Sequence, residues 1–148
     1  MAKMSGRKPL KSSARKAATG VKQRGQLRAT VAEKFLAAYK EAWETCNAEL
    51  AANLFTRDAH YWENPFGEPI VGREAVGAYW KAATETQDDI QFRVRHSFRV
   101  GYTLLAEWTC TYMHGPTGER RELAGVLLAD FYGEQVRTFR EYWHRRIV

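Results

Sequence analysis

DAHYWENPFGEPIVGREAVGAYW, residues 58–80, changes structural period twice. His60 to Asn64 reads as a short aromatic strand, Pro65-Phe66-Gly67-Glu68-Pro69 as a loop held by two prolines and a glycine, and Arg73 to Thr84 as a helix. Val76, Tyr79, Trp80 and Ala83 form the buried stripe of that helix. A strand ending in Asn-Pro beside a rigid loop aims a side chain, which makes Asn64 the first candidate for a functional site.

Upstream, Val31, Phe35, Tyr39, Trp43 and Cys46 recur at spacings of four, four, four and three, which predicts one helical face, with Thr30 as its N-cap. Asn47 is expected to cap a second helix, Ala48 to Phe55. Downstream the period becomes two. Ile90, Phe92, Val94, His96 and Phe98 alternate with Gln91, Arg93, Arg95, Ser97 and Arg99, which predicts a half-buried strand with an arginine face. Strands from Thr103 to His114, Arg121 to Phe131 and Gln135 to Arg146 follow, separated by Gly-containing turns. The order of helix, helix, strand, helix and four hairpin-linked strands is an α+β pattern. It implies a cone-shaped, curved, mostly antiparallel sheet wrapped around the N-terminal helices. The aromatic residues are too many for full burial, so some are expected to line a pocket or an oligomer interface.

The charge is unevenly placed. Residues 1–28 hold nine Lys or Arg and no acid, whereas residues 29–148 hold fourteen basic and seventeen acidic residues, a net −3. The chain therefore divides into a basic tail of disorder-type composition, residues 1–28, and one domain, residues 29–148. The tail reads as a solvated segment, a nucleic-acid contact or an organelle-targeting peptide. Cys46 and Cys110 have neither CxxC nor zinc-ligand spacing, so neither a disulfide framework nor a metal is expected. No apolar run approaches a membrane span and no secretory signal begins the chain, so a cytoplasmic protein is expected. Nucleotide-binding and nucleophile-elbow motifs do not occur, which predicts chemistry without a cofactor.

Three stretches carry a family resemblance: AYKEAWETCNAELAANLFTRDA at 38–59, YWENPFGEPIVGREAVGAYW at 61–80 and GVLLADFYGEQVRTFREYWH at 125–144. The pattern resembles the nuclear transport factor 2-like superfamily, with its cystatin-like roll, and within it the SnoaL-like or ketosteroid-isomerase-like group. That group includes isomerases, cyclases, epoxide hydrolases and adaptors. The resemblance matches Tyr39 to the oxyanion-donating tyrosine of the steroid isomerases, but Asn64 stands in place of their catalytic aspartate and Leu128 in place of their second acidic donor. An amide cannot take a proton from carbon. Against the limonene epoxide hydrolase branch, Asn64 and Pro69 keep the loop spacing and Glu141 stands for an aspartate. Trp108 and Cys110 replace that branch's Arg-Asp pair.

The resemblance implies a cavity bounded by Tyr39, Trp62, Asn64, Trp108 and Glu141, with Phe139, Trp143 and His96 as further ligand contacts. Glu141 is expected to act as acid or base, with Tyr39 and Asn64 as hydrogen-bonding groups; each has a structural alternative. Asn64 fits a turn bonding its own backbone, Tyr39 a core position, Glu141 a cross-strand pair with arginine and His96 a satisfied interior residue. The expected function is binding of a small, mostly apolar ligand, with isomerase, hydrolase or cyclase chemistry. The expected partner is a second copy docked through the sheet. The alternative is a non-catalytic adaptor whose tail contacts nucleic acid or an acidic partner.

Overall fold

The computed structural model describes residues 25–148, so the expectations for most of the basic tail lie outside the described residues. Leu27 is buried in the core, its N–H donates to Gly101 O at 2.7 Å, and its carbonyl accepts from Arg99 Nη1 at 2.7 Å.

Helix α1 spans Ala29–Glu44 and buries Val31, Phe35, Tyr39 and Trp43, as the four-residue spacing requires. Thr30 lies inside the helix rather than capping it; Arg28 holds the N-cap position and makes no side-chain cap. Cys46 leaves the predicted face because the helix stops two residues earlier. It sits at φ 52 in the left-handed region, and Asn47 N–H bonds to Ala42 O at 2.8 Å, closing a Schellman-type end. Asn47 then caps α2, Ala48–Asn53, by accepting Leu50 N–H at 2.9 Å. Helix α2 ends before Phe55, because from there the chain pairs with the last strand.

Strand β1 covers Phe55–Trp62, longer than predicted at its start and ending before Asn64. A two-residue strand β2, Ile70–Val71, folds back onto it, and α3 occupies Arg73–Thr84. The hairpin strands are β3, Gln87–Val100, β4, Thr103–His114, β5, Glu119–Tyr132, and β6, Gln135–Ile147. Together they form a curved sheet in the order β2-β1-β6-β5-β4-β3, antiparallel except where β1 runs parallel to β6. Strand β3 is an edge. The backbone of its Phe92 is held by α1 side chains, Lys40 Nζ donating to the carbonyl at 2.8 Å and Glu44 Oε1 accepting the N–H at 2.8 Å.

The alternation in β3 does not mark one face throughout. Phe92 pairs with Cys110 and Val94 with Trp108, but the register then shifts and His96 pairs with Glu107. An extra residue in a ladder turns every later side chain to the opposite face. Phe92 is therefore buried in the concave core while His96 and Phe98 lie on the convex face, Phe98 60% exposed. The register aligns Phe98, Leu105, Leu128, Arg140 and Trp62 in one row across five strands of that outer face.

Candidate active site

The concave face and the helices enclose a cavity of about 250 Å³, near the lower end of the roughly 300–1,000 Å³ typical of ligand pockets. Its closed end is made by Tyr39 of α1, Tyr61 of β1 and Glu141 of β6, all buried. Register explains the convergence. Tyr61 pairs with Phe139, and Phe139, Glu141 and Trp143 alternate along one face of β6. Trp43, Trp80, Trp108 and Trp143 wall the cavity, and Glu63, His114, Arg121 and Arg145 stand toward its open end. A Cβ on Gly125 would lie 2.5 Å from Tyr142 O and 2.6 Å from Trp143 Cβ, so only glycine lets β6 carry Trp143 this close to β5.

Tyr39 donates its hydroxyl to Glu141 Oε1 at 2.6 Å. Glu141 is 5% exposed, and no cationic side chain pairs with it among the described residues. Burial raises its carboxyl pKa to about 7; hydrogen bonds from Tyr39 and Tyr61 pull it back down, and the charge of Glu63 adds to the rise. Burial, then the Glu141 charge, holds the Tyr39 and Tyr61 hydroxyls well above the usual phenol range, so both remain proton donors. The arrangement can hold or release one proton near neutrality while two phenols stabilise the ionised form.

The other expected site residues are divided by the fold. Trp108 and Trp143 line the cavity. Phe139 lies beneath it, stacked on Tyr39 at 5.8 Å and tilted against Tyr61 at 4.6 Å. Asn64 is exposed in the loop, where its Oδ1 accepts Phe66 N–H at 2.9 Å, an Asx turn that occupies the amide locally. Trp62 belongs to the convex side, opposite Arg140 and stacked on His60. His96 also faces outward, its side chain 69% exposed and 4.0 Å from Glu107, because of the shifted β3 register. The cross-strand alternative for Glu141 does not occur: its opposite residue on β5 is Leu127. Cys110 is buried beside the cavity wall, and burial pushes its thiol up to about 12, so it stays protonated.

Sequence reading placed none of Tyr61, Glu63, Arg121 and Arg145 at the site. The signal was phase: Tyr61 and Glu63 continue the inward alternation from Ala59, and Arg145 continues that of Glu141 and Trp143.

A family model described as SnoaL-like domain matches residues 36–139. The chain belongs to the SnoaL-like domain family. This SnoaL-like domain is similar in fold to an LEH-like epoxide hydrolase of Mycobacterium tuberculosis, at 16% identity and TM-score 0.65 over 78% of this chain and 84% of that one. An NTF2-like protein of Anabaena variabilis gives 18% identity and TM-score 0.69, covering 78% and 87% of the two chains. RV0760c of Mycobacterium tuberculosis gives 17% and 0.70, covering 83% and 100%. No curated protein sequence matches significantly. At these identities the likeness shows the fold, the nuclear transport factor 2-like, ketosteroid-isomerase-like roll expected from the sequence. Among the described residues, no helix is long and apolar enough to cross a membrane.

Proposed function

We propose that this SnoaL-like domain is a cofactor-independent acid–base catalyst, an isomerase, hydrolase or cyclase, acting on a small, mostly apolar molecule in the aromatic cavity. The observation that carries this reading is Glu141: a carboxyl at the closed end of a cavity, without a cationic partner among the described residues and with its pKa raised to about 7. A group with that affinity serves as a base when ionised and as an acid once protonated. Ionised Glu141 takes a proton from a carbon beside a carbonyl, or from a water attacking an epoxide. The protonated carboxyl returns it to the substrate at a second position or to the opened oxygen. Tyr39, matched by resemblance to an oxyanion donor, here gives its hydrogen bond to Glu141 and so positions the base. The epoxide hydrolase among the similar folds supports the hydrolytic form, while Trp108 and Cys110 leave it without that branch's Arg-Asp pair.

The test is turnover of a panel of apolar ketones, epoxides and lactones by the wild-type chain and by Glu141→Gln. Loss of turnover with the native fold retained, read by circular dichroism, is expected; equal turnover would overturn the assignment.

The same reading includes pairing of two copies through the convex sheet face. It is supported by the cross-strand row of Phe98, Leu105 and Leu128 and by the neighbouring Tyr142, 48% exposed, which together put apolar surface on the outside of the sheet. A symmetric pair covers the same row on both copies at once.

A further inference from the structure

Trp80 Nε1, Trp108 Nε1 and Arg121 Nε are buried without a partner among the described residues, and all three side chains line the cavity. All three are donors. Three acceptors at the cavity or its rim are already engaged: Glu141 Oε1 by Tyr39, Gln87 Oε1 by Trp43 Nε1 at 2.8 Å, and Glu119 by Arg121 Nη2 at 3.0 Å. A buried donor without an acceptor is destabilising, and native structures seldom tolerate several together. The missing acceptors belong to whatever fills the space.

Charge is also sorted along the cavity. Arg121 and Arg145 sit near the same ends of β5 and β6, Arg145 opposite Leu123 and Arg121 opposite Ile147. Arg121 is already paired with Glu119, whereas Arg145 is solvent-facing and without an ion pair among the described residues; the Glu63 carboxylate, also on the cavity, acts instead on Glu141. Glu141 lies four residues from Arg145 on the same face of β6, about 13 Å along the strand.

We infer that the cavity takes a small organic acid, its carboxylate held by Arg121 and Arg145 at the open end and its apolar body extending between the tryptophans toward Glu141. A carbonyl or ether oxygen on that body meets the indole N–H groups. Arginine suits the role because its planar fork matches a carboxylate. This deepens the acid–base reading and rests on it for which end of the ligand reacts, but the carboxylate contact is separable from catalysis.

Isothermal titration of the full chain with 3-phenylpropanoate and 4-phenyl-2-oxobutanoate, each beside its primary amide, tests the contact without turnover. Each acid is expected to bind at least about tenfold more tightly than its amide, the effect of one charge-assisted hydrogen bond. Arg121→Gln and Arg145→Gln are each expected to narrow that ratio, weakening the acid more than the amide. If Arg121→Gln lowers the melting temperature sharply, Arg145→Gln at the rim carries the comparison. Equal binding of acid and amide, an undiminished preference in the arginine variants, or binding of none of the probes overturns the inference. An acid preference without turnover of any substrate would sink the acid–base reading and leave the acid-binding site standing.

Discussion

Tyr39 and Glu141 are 102 residues apart in the chain and 2.6 Å apart in the fold, joined by a buried hydrogen bond from the phenol to the carboxylate. Helix α1 and strand β6 meet there, and the core around the pair is aromatic: Tyr39 packs against Trp80 at 5.0 Å and Phe92 at 5.4 Å. Tyr39→Phe keeps that packing and removes the donor. Because the hydrogen bond holds the Glu141 pKa down, the variant is expected to titrate Glu141 above its wild-type midpoint. It should also lose about 1–3 kcal/mol of stability through a carboxylate left short of a partner. Chemical denaturation and carboxyl titration of the same variant check both effects.

The raised pKa of Glu141 fixes the sign of one pH dependence. The folded protein holds this proton up to about pH 7, whereas an unfolded glutamate releases it near 4.5. Between those values the native state binds more protons than the unfolded state, so this group's stabilisation is fully present below 4.5 and is lost as pH rises through 7. The loss amounts to about 3 kcal/mol. Glu141→Gln, which cannot ionise, should therefore gain on wild type steadily from pH 5 to pH 8 in denaturant midpoints. A constant difference over that range would show that Glu141 titrates normally.

Cys46 ends α1 in the left-handed region at φ 52, a conformation that disfavours every residue with a Cβ. Its Sγ makes only long contacts, 3.9 Å to Thr84 O and 3.9 Å to Gln87 O, and the residue is exposed. Cys46→Gly is expected to raise stability by about 1 kcal/mol, read as a higher denaturant midpoint with unchanged m-value. A lower midpoint would mean that the thiol contacts outweigh the backbone strain.

Placing a charge in the convex row tests the pairing of copies. Leu105→Arg sits between Phe98 and Leu128, and light scattering is expected to give the monomer mass for this variant and twice that mass for wild type. A monomeric wild-type protein would remove the proposed interface.

Much of this was legible in the sequence wherever periodicity and steric demand coincide. Phe35, Tyr39 and Trp43 had to share a helix face, and the alternation of Phe139, Glu141 and Trp143 had to place a carboxyl inside an apolar row. Helix α3 and strand β4 have the predicted bounds because a glycine turn or loop isolates each. The failures have equally local causes. The register shift after Val94 reverses β3, and nothing in the alternation of Ile90 to Phe98 announces it, so His96 was expected inside and lies outside. Asn64 before proline fits both a ligand contact and an Asx turn, and only the bond to Phe66 N–H separates them. Arg121 reads as a polar strand end until β5 is seen to begin two residues earlier and the cavity to extend to it.

The most direct measurement is the carboxyl titration of Glu141 itself, followed by carbon-13 NMR on the wild-type chain with the resonance assigned by its absence in Glu141→Gln. A midpoint near 7 is expected; a midpoint near 4.5 would show a solvated or paired carboxylate and contradict the proton-transfer site.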